Sequence, residues 1–429
     1  MRRWRRTVYW VVAVVVVFLS LPAAALAAKS SPLVSGTSYY VTELPSSGRI
    51  SAFNKTLELR FPRNNALVDG NGVMATHQSV YFTYYVAAGG SPDQQKYLLV
   101  SDIFKISVTA GTYLLDPGEL TLTYDENVSD AVADQLAIWY SPGVSVSGNV
   151  YTWDETDNIN LGGTTKARKN TVTAPFQFSG TGMGYYAVFL GQQAFQEFNS
   201  QSDVAWSYPC VMPLWAKGIV EQLPVDADVY FGLSEDVNRL EFATMMVKGL
   251  GLPLTKRPAS ASEQVFSDTF GGKDFYEALP EDIASNYYGA NYSTASGYRI
   301  YASDRMPVQY VETAARNGIV RGYVDGEFKP QNAITRQEAA AILARVGNLK
   351  ISSDSDKVRA GLETLFDDAS DIAPWAAPSV LAAVKAKLIV GKPSSVPDSK
   401  KLEFKPNDNL TRAEAITLTH RLLKKLKKI

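Results

Sequence analysis

Three arginines occupy the same place in three similar strings: Asn238-Arg239-Leu240-Glu241, Thr335-Arg336-Gln337-Glu338 and Thr411-Arg412-Ala413-Glu414. A threonine followed three residues later by glutamate has the spacing of a helix capping box. The Thr335 and Thr411 oxygens take a free backbone donor of the first turn, and Glu338 and Glu414 reach back to the cap residue. Asn238 with Glu241 makes a weaker version. Each cap contributes about 1 kcal/mol. The box explains threonine and glutamate but not arginine, whose charge opposes the helix dipole at that end. Two causes fit. A guanidinium beside free helix amides makes an anion site able to grip a carboxylate through two N–H groups. Alternatively, each arginine forms a structural salt bridge to an aspartate opening a neighbouring unit, with Asp268, Asp367 and Asp368 as candidates. The residues alone leave both open.

The strings belong to a longer cassette. Its clearest copy runs Gly318-Ile319-Val320-Arg321-Gly322, then Phe328-Lys329-Pro330, then the Thr335 string. Another runs Leu388-Ile389-Val390-Gly391, Phe404-Lys405-Pro406 and the Thr411 string. The first is degenerate: Gly218-Ile219-Val220, Phe231-Gly232-Leu233 and the Asn238 string. Each opens with a helix, as in Gln309 to Asn317 before Gly318, or from Pro378 to Lys385. Units too small to bury their own apolar faces must pack on each other. They then present the same side chain at every junction, which points to a binding module rather than an enzyme.

Residues 203–424 resemble a triplet of S-layer homology domains. The third copy carries Phe366-Asp367-Asp368, Trp375-Ala376, Gly391, Phe404-x-Pro406 and Leu410-Thr411-Arg412-x-Glu414. The second opens with Phe266-Ser267-Asp268, and the first near Asp203-Val204 and Trp206. The resemblance implies a pseudo-threefold prism whose grooves bind secondary cell wall polysaccharide, commonly ending in a pyruvate ketal. It gives contact with the anionic sugar to Arg336 and Arg412, and to Arg239. It gives groove support to Trp206 and Trp375, and close ligand approach to Gly322 and Gly391; Arg321 and Lys392 add charge nearby. This sequence departs from the pattern at Gln222 for the final glycine, Ser234 for proline, Asn238 for threonine and Lys387 where Gly318 sits. The second copy lacks a clear Trp-Ala pair. Unequal grooves are expected, with the one using Arg239 weakest.

The rest of the chain frames that module. Arg2, Arg3, Arg5 and Arg6 precede an apolar run from Val8 to Leu21 and an Ala25-Leu26-Ala27 box, the pattern of a secretory signal over 1–27. Residues 28–197 hold short alternating runs between turns, including Leu57 to Phe61, Val80 to Val86, Ile103 to Val108 and Tyr185 to Phe189. That is the pattern of an antiparallel β-sandwich. The predicted architecture is therefore an all-β sandwich followed by a mainly α triplet. The repeats span 198–262, 263–350 with an insertion over 270–303, and 351–429 with a basic tail.

A formal net charge of −1 gives no bias toward nucleic acid. The single cysteine, Cys210, reads as a buried small hydrophobe, and His77 as a polar loop residue. Asp154, Glu155 and Asp157 read as a hairpin tip rather than a calcium loop, so neither metal nor cofactor is expected. The tyrosine pairs Tyr39-Tyr40 and Tyr84-Tyr85 fit a glycan surface or the two faces of a strand. The expectation is a secreted protein with no membrane span after signal cleavage. Its repeats tether it non-covalently to an anionic wall glycan, and its sandwich faces a surface-protein partner. The rival readings are an S-layer lattice subunit, a protein adaptor, and a wall enzyme with carboxylates facing across about 5–9 Å.

Overall fold

Alternation drives the first half of the chain into two antiparallel sheets. Along Leu57–Arg60 the leucines are buried and Arg60 is exposed, and Val80–Tyr85 buries Val80, Phe82 and Tyr84. The computed structural model describes residues 33–429 except 94–95, 148–149, 155–157, 179, 199–201, 222–230, 256–260 and 270–306. The signal over 1–27, the 270–303 insertion, Glu155, Asp157 and Gln222 lie outside the described residues.

The larger sheet orders Ser38–Val41, Val80–Tyr85, Ile103–Ser107, Met183–Gly191, Leu136–Ser141 and Ile159–Gly162, with Tyr97–Leu99 also paired to Met183–Gly191. The second orders Thr164–Lys166, Thr171–Phe176, Gly118–Thr123, Leu57–Arg60 and Arg49–Ala52. Phe82, Tyr84, Phe104, Ile106 and Val188 of one sheet pack against Leu57, Leu59, Leu120, Leu122 and Val172 of the other. This is the expected sandwich. Beyond it, a small sheet containing Val150–Trp153 folds over the outer face of the larger one. Trp153 and Trp139 there meet Phe189 edge-on.

Both faces of the tyrosine pair are used. Tyr84 is buried and donates to Asp102 at 2.6 Å, whereas Tyr85 stacks on Tyr151 at 4.0 Å. Tyr39 and Tyr40 lie exposed on the edge strand, and His77 is exposed in a loop. Cys210 is half-buried rather than sealed, and its burial pushes the thiol up. No cluster of metal-ligating side chains occurs among the described residues.

The second half is helical: α1 (Tyr208–Ala216), α2 (Arg239–Leu250), α3 (Pro307–Arg316), α4 (Arg336–Val346), α5 (Ser355–Leu365), α6 (Ala377–Lys385) and α7 (Arg412–Lys425). α1, α3 and α6 open the three units; α2, α4 and α7 follow the capping strings. The turn after each opening helix is left-handed, at Gly218, Gly318 and Lys387, so Lys387 adopts the glycine conformation at some cost. α5 lies outside the cassette. Asp354 caps it, and Val358 and Leu362 turn one face inward.

The sandwich and the triplet meet along α1 and the end of α7. Tyr97 stacks on Trp215 at 5.0 Å, Asn160 donates to the Ala216 carbonyl, and Thr164 donates to the Lys428 carbonyl. Lys424 pairs with Asp134. At the centre, Lys217 Nζ is buried and donates to the carbonyls of Leu136 and Gly163, each at 2.7 Å. Burial pulls this amine down to about 7, with Asp134 opposing and Lys424 assisting. A neutral amine carries two hydrogens, one for each carbonyl. Because the folded value lies below the unfolded one, the unfolded chain binds the extra proton between about 7 and 10.5. Stability contributed by this site therefore rises with pH across that window. Denaturant titrations from pH 7 to 10 should show this rise in the wild type and not in Lys217→Met, which should be the less stable protein at pH 10, where two carbonyls are left unpaired.

Candidate functional site

The repeats close into a ring through their backbones. Val237 N donates to Leu410 O, Leu410 N to Ile334 O, and Ile334 N to Val237 O, at 2.9–3.0 Å. One residue on, the capping boxes form. Asn238, Thr335 and Thr411 accept from the backbone of Glu241, Glu338 and Glu414 at 2.7, 3.4 and 3.3 Å. Each glutamate's Oε2 accepts from the cap residue's own N–H. The Asn238 box is complete, with the shortest bond of the three, so it is not the weaker version the sequence suggests.

The next two amides of each helix are also taken. Arg239, Arg336 and Arg412 donate their backbone N–H to Asn332, Asp408 and Glu235. Leu240, Gln337 and Ala413 donate to Pro330, Pro406 and Leu233. Every acceptor belongs to a neighbouring repeat. The helix starts therefore hold no free amide for an anion at these positions. The same register puts Leu233, not Ser234, at the proline position of the first copy.

The arginine side chains complete the closure. Arg239 Nε donates to Phe328 O at 2.8 Å, Nη1 to Glu338 Oε1 at 3.0 Å and Nη2 to Arg321 O at 3.1 Å. Arg336 does the same with Phe404 O, Glu414 Oε1 and Val390 O, at 2.8, 3.5 and 2.8 Å. Arg412 reaches Phe231 O, Glu241 Oε1 and Glu221 O. Each guanidinium also lies 4.9–5.6 Å from the ring of the phenylalanine whose carbonyl it holds.

One glutamate thus serves two units: Oε2 caps its own helix, and Oε1 neutralises the preceding unit's arginine. The partner is this glutamate and not an opening aspartate. Asp268 instead accepts from the amides of Phe328 and Lys329, and Asp368 from those of Phe404 and Lys405. Asp367 accepts from Ser394 and Ser399. Arginine side chains exposed by only 4–6% do not stand free to grip a ligand, as the anion-site reading required. Burial pulls Arg336 down, against the opposing pull of Glu414.

Two further expectations change. A Cβ on Gly322 would lie 2.7 Å from the Phe266 ring, and one on Gly391 would lie 2.8 Å from the Phe366 ring. These glycines make room for the phenylalanine of Phe-x-Asp, which packs on that of Phe-x-Pro, stacked for Phe266 on Phe328 and edge-on for Phe366 on Phe404; close ligand approach is not what excludes a side chain there. Nor does Arg239 serve the degenerate loops. It sits on the intact second copy, with Tyr323 over its guanidinium at 4.5 Å. The irregular first-copy loops face Arg412 instead.

What remains accessible lies around the ring. Trp375 and Trp206 are 60% and 53% exposed. Trp375 follows Ala373, whose N–H donates to Gln337, the residue after Arg336. Lys392 Nζ lies 3.1 Å from Glu414 Oε1, the oxygen that also holds Arg336. At the junction of the first and second copies Arg321 is exposed, and burial together with Arg321 and Arg239 pulls Arg345 down to about 10. Its Nη1 is buried with no partner among the described residues.

Residues 304–340 and 365–416 match the family model of the S-layer homology domain. These segments are S-layer homology domains. The Arg239 cassette lies outside both matches and closes the same ring of bonds. The chain is 25% identical over 341 residues to the amylopullulanase of Thermoanaerobacterium thermosulfurigenes, covering 78% of this chain and 14% of that protein. It is 34% identical over 110 residues to the cellulosome-anchoring protein of Acetivibrio thermocellus, covering 26% and 22%. It is 29% identical over 218 residues to exoglucanase XynX of the same species, covering 49% and 16%. The chain thus spans under a quarter of each relative's length. Coverage of 78% carries the first alignment past the S-layer homology repeats into the β-rich half.

Removing an arginine takes the guanidinium away from its glutamate, and the cost follows that glutamate's burial. Glu241 is 1% exposed and Glu414 is 19% exposed with Lys392 still beside it. Arg412→Ala is expected to lose about 3–5 kcal/mol in urea unfolding, and Arg336→Ala clearly less. Equal small losses would show that the ring carries little of the stability.

Proposed function

We propose that the S-layer homology repeats attach this protein non-covalently to an acidic secondary cell wall polysaccharide, at the clefts between neighbouring repeats. The observation that carries this reading is the junction of the second and third copies. There Lys392 and Arg336 share Glu414 Oε1, and exposed Trp375 lies two residues after Ala373, whose N–H is held by Gln337 next to Arg336. Cations suit a sugar carboxylate such as a pyruvate ketal, and an exposed indole suits the apolar face of a sugar ring. In this reading Arg239, Arg336 and Arg412 hold the cleft walls and lend them charge, while Lys392, Arg321, Trp375 and Trp206 meet the ligand. The crowding of Arg239, Arg321 and Arg345 supports the same ligand charge at another junction.

S-layer homology domains mark a protein of the cell wall or S-layer surface. One relative is named a cellulosome-anchoring protein, and others are named for enzymes of which this chain spans only a small share. On this reading the chain is an anchor whose sandwich is available to a surface partner. Sealed arginines also suit an adaptor that binds protein, so the test must separate the two.

The purified protein is expected to sediment with native walls and several-fold less with walls stripped of their polysaccharide or its ketal groups. The Trp375→Ala/Lys392→Ala double variant should lose retention while its thermal midpoint stays unchanged. Equal retention by stripped walls would overturn the glycan reading. Retention abolished by protease treatment of the walls would favour the adaptor.

A further inference from the structure

A second basic surface lies away from the repeat junctions. A cleft of about 1460 Å³ runs between the five-stranded sheet of the sandwich and the triplet. It exceeds the roughly 300–1,000 Å³ of ordinary small-molecule sites. Arg60, Lys166, Lys248, Lys427 and Lys428 line it against only Glu119 and Glu221. Two of these cations are paired, Arg60 with Glu58 and Lys248 with Glu221 at 3.5 Å. Lys166, Lys427 and Lys428 are exposed and carry no ion pair among the described residues.

The floor between them mixes polar and apolar groups, with Asn160, Thr164 and Thr173 beside Ile159, Leu161 and Pro175. Asn160 is held by its bond to Ala216, Thr164 by its bond to Lys428, and Thr173 by Thr121 at 2.8 Å. Lys217 closes the base, with its nitrogen committed to two carbonyls. The basic tail is thus folded into the wall of a cleft. With Lys166 of the sandwich, Lys427 and Lys428 of the tail bring three ammonium groups without an ion pair among the described residues to this cleft.

We infer that this cleft binds a segment of an acidic polysaccharide. The excess of cations selects a polyanion, the mixed floor suits sugar rings with their hydroxyls and apolar faces, and the volume suits several linked residues. Glu221 lines this cleft and also accepts from Arg412 at a repeat junction, but Lys166, Lys427 and Lys428 are not among the junction residues, so either site can fail alone.

The test is calorimetric titration of the full chain with polygalacturonate, using neutral dextran as control. Wild type should bind polygalacturonate, more weakly as salt rises, and leave dextran unbound. Lys166→Glu/Lys427→Glu/Lys428→Glu should lose at least about tenfold in affinity through reversed charge at the cleft. The corresponding triple glutamine variant should show a smaller loss, and both should keep the wild-type thermal midpoint. Trp375→Ala/Lys392→Ala should retain this binding even if it loses wall retention. No binding by wild type, equal binding of dextran, or loss confined to the Trp375/Lys392 variant would overturn the inference.

Discussion

A carboxylate with two separate duties governs the triplet. Glu241, Glu338 and Glu414 each spend one oxygen on their own helix start and the other on an arginine from the preceding unit. Local helix formation and unit-to-unit closure are therefore one event. The arginine opposes its own helix dipole, but its charge is delivered across the junction to a neighbouring unit's carboxylate. The backbone ring of Val237, Ile334 and Leu410 follows the same connectivity, so no unit completes its helix start alone. Such closure gives each repeat a fixed place and explains how the degenerate first copy keeps its geometry. Glu197 takes the role of the opening aspartate there, accepting from the amides of Phe231 and Leu233.

The same economy shapes the rest of the cassette. The opening aspartate pins the Phe-x-Pro turn, whose middle residue is left-handed at Gly232, Lys329 and Lys405. The opening phenylalanine fills the space that glycine leaves. Motif residues that look reserved for a ligand mostly hold one repeat to itself or to the next. The positions around the ring, among them Lys392, Arg321 and the tryptophans, differ from copy to copy.

Much of this was legible in the sequence because it rests on local pattern. Strand alternation gave the sandwich, and Thr-x-x-Glu spacing gave the helix starts. The partner of each arginine was hidden because it lies 78 to 171 residues away in sequence. The repeat order that decides which glutamate meets which arginine is a property of closure, not of spacing. The edge strand Thr164–Lys166 is not legible because three residues show too little alternation. Helix α5 had a signal, Asp354 followed by Val358 and Leu362, but no place in the cassette pattern. Nothing local marks Lys217 as buried; its environment comes from two strands of the sandwich.

The most direct measurement of the central claim is a double-mutant cycle between Arg412 and Glu241. Arg412→Leu removes the guanidinium, and Glu241→Gln keeps a side chain able to cap the helix while removing the charge. Urea unfolding of the four proteins should give a coupling of about 2 kcal/mol or more, as for groups in one buried network. A coupling within about 0.5 kcal/mol of zero, the range of independent sites, would contradict a triplet closed through its arginine–glutamate ring.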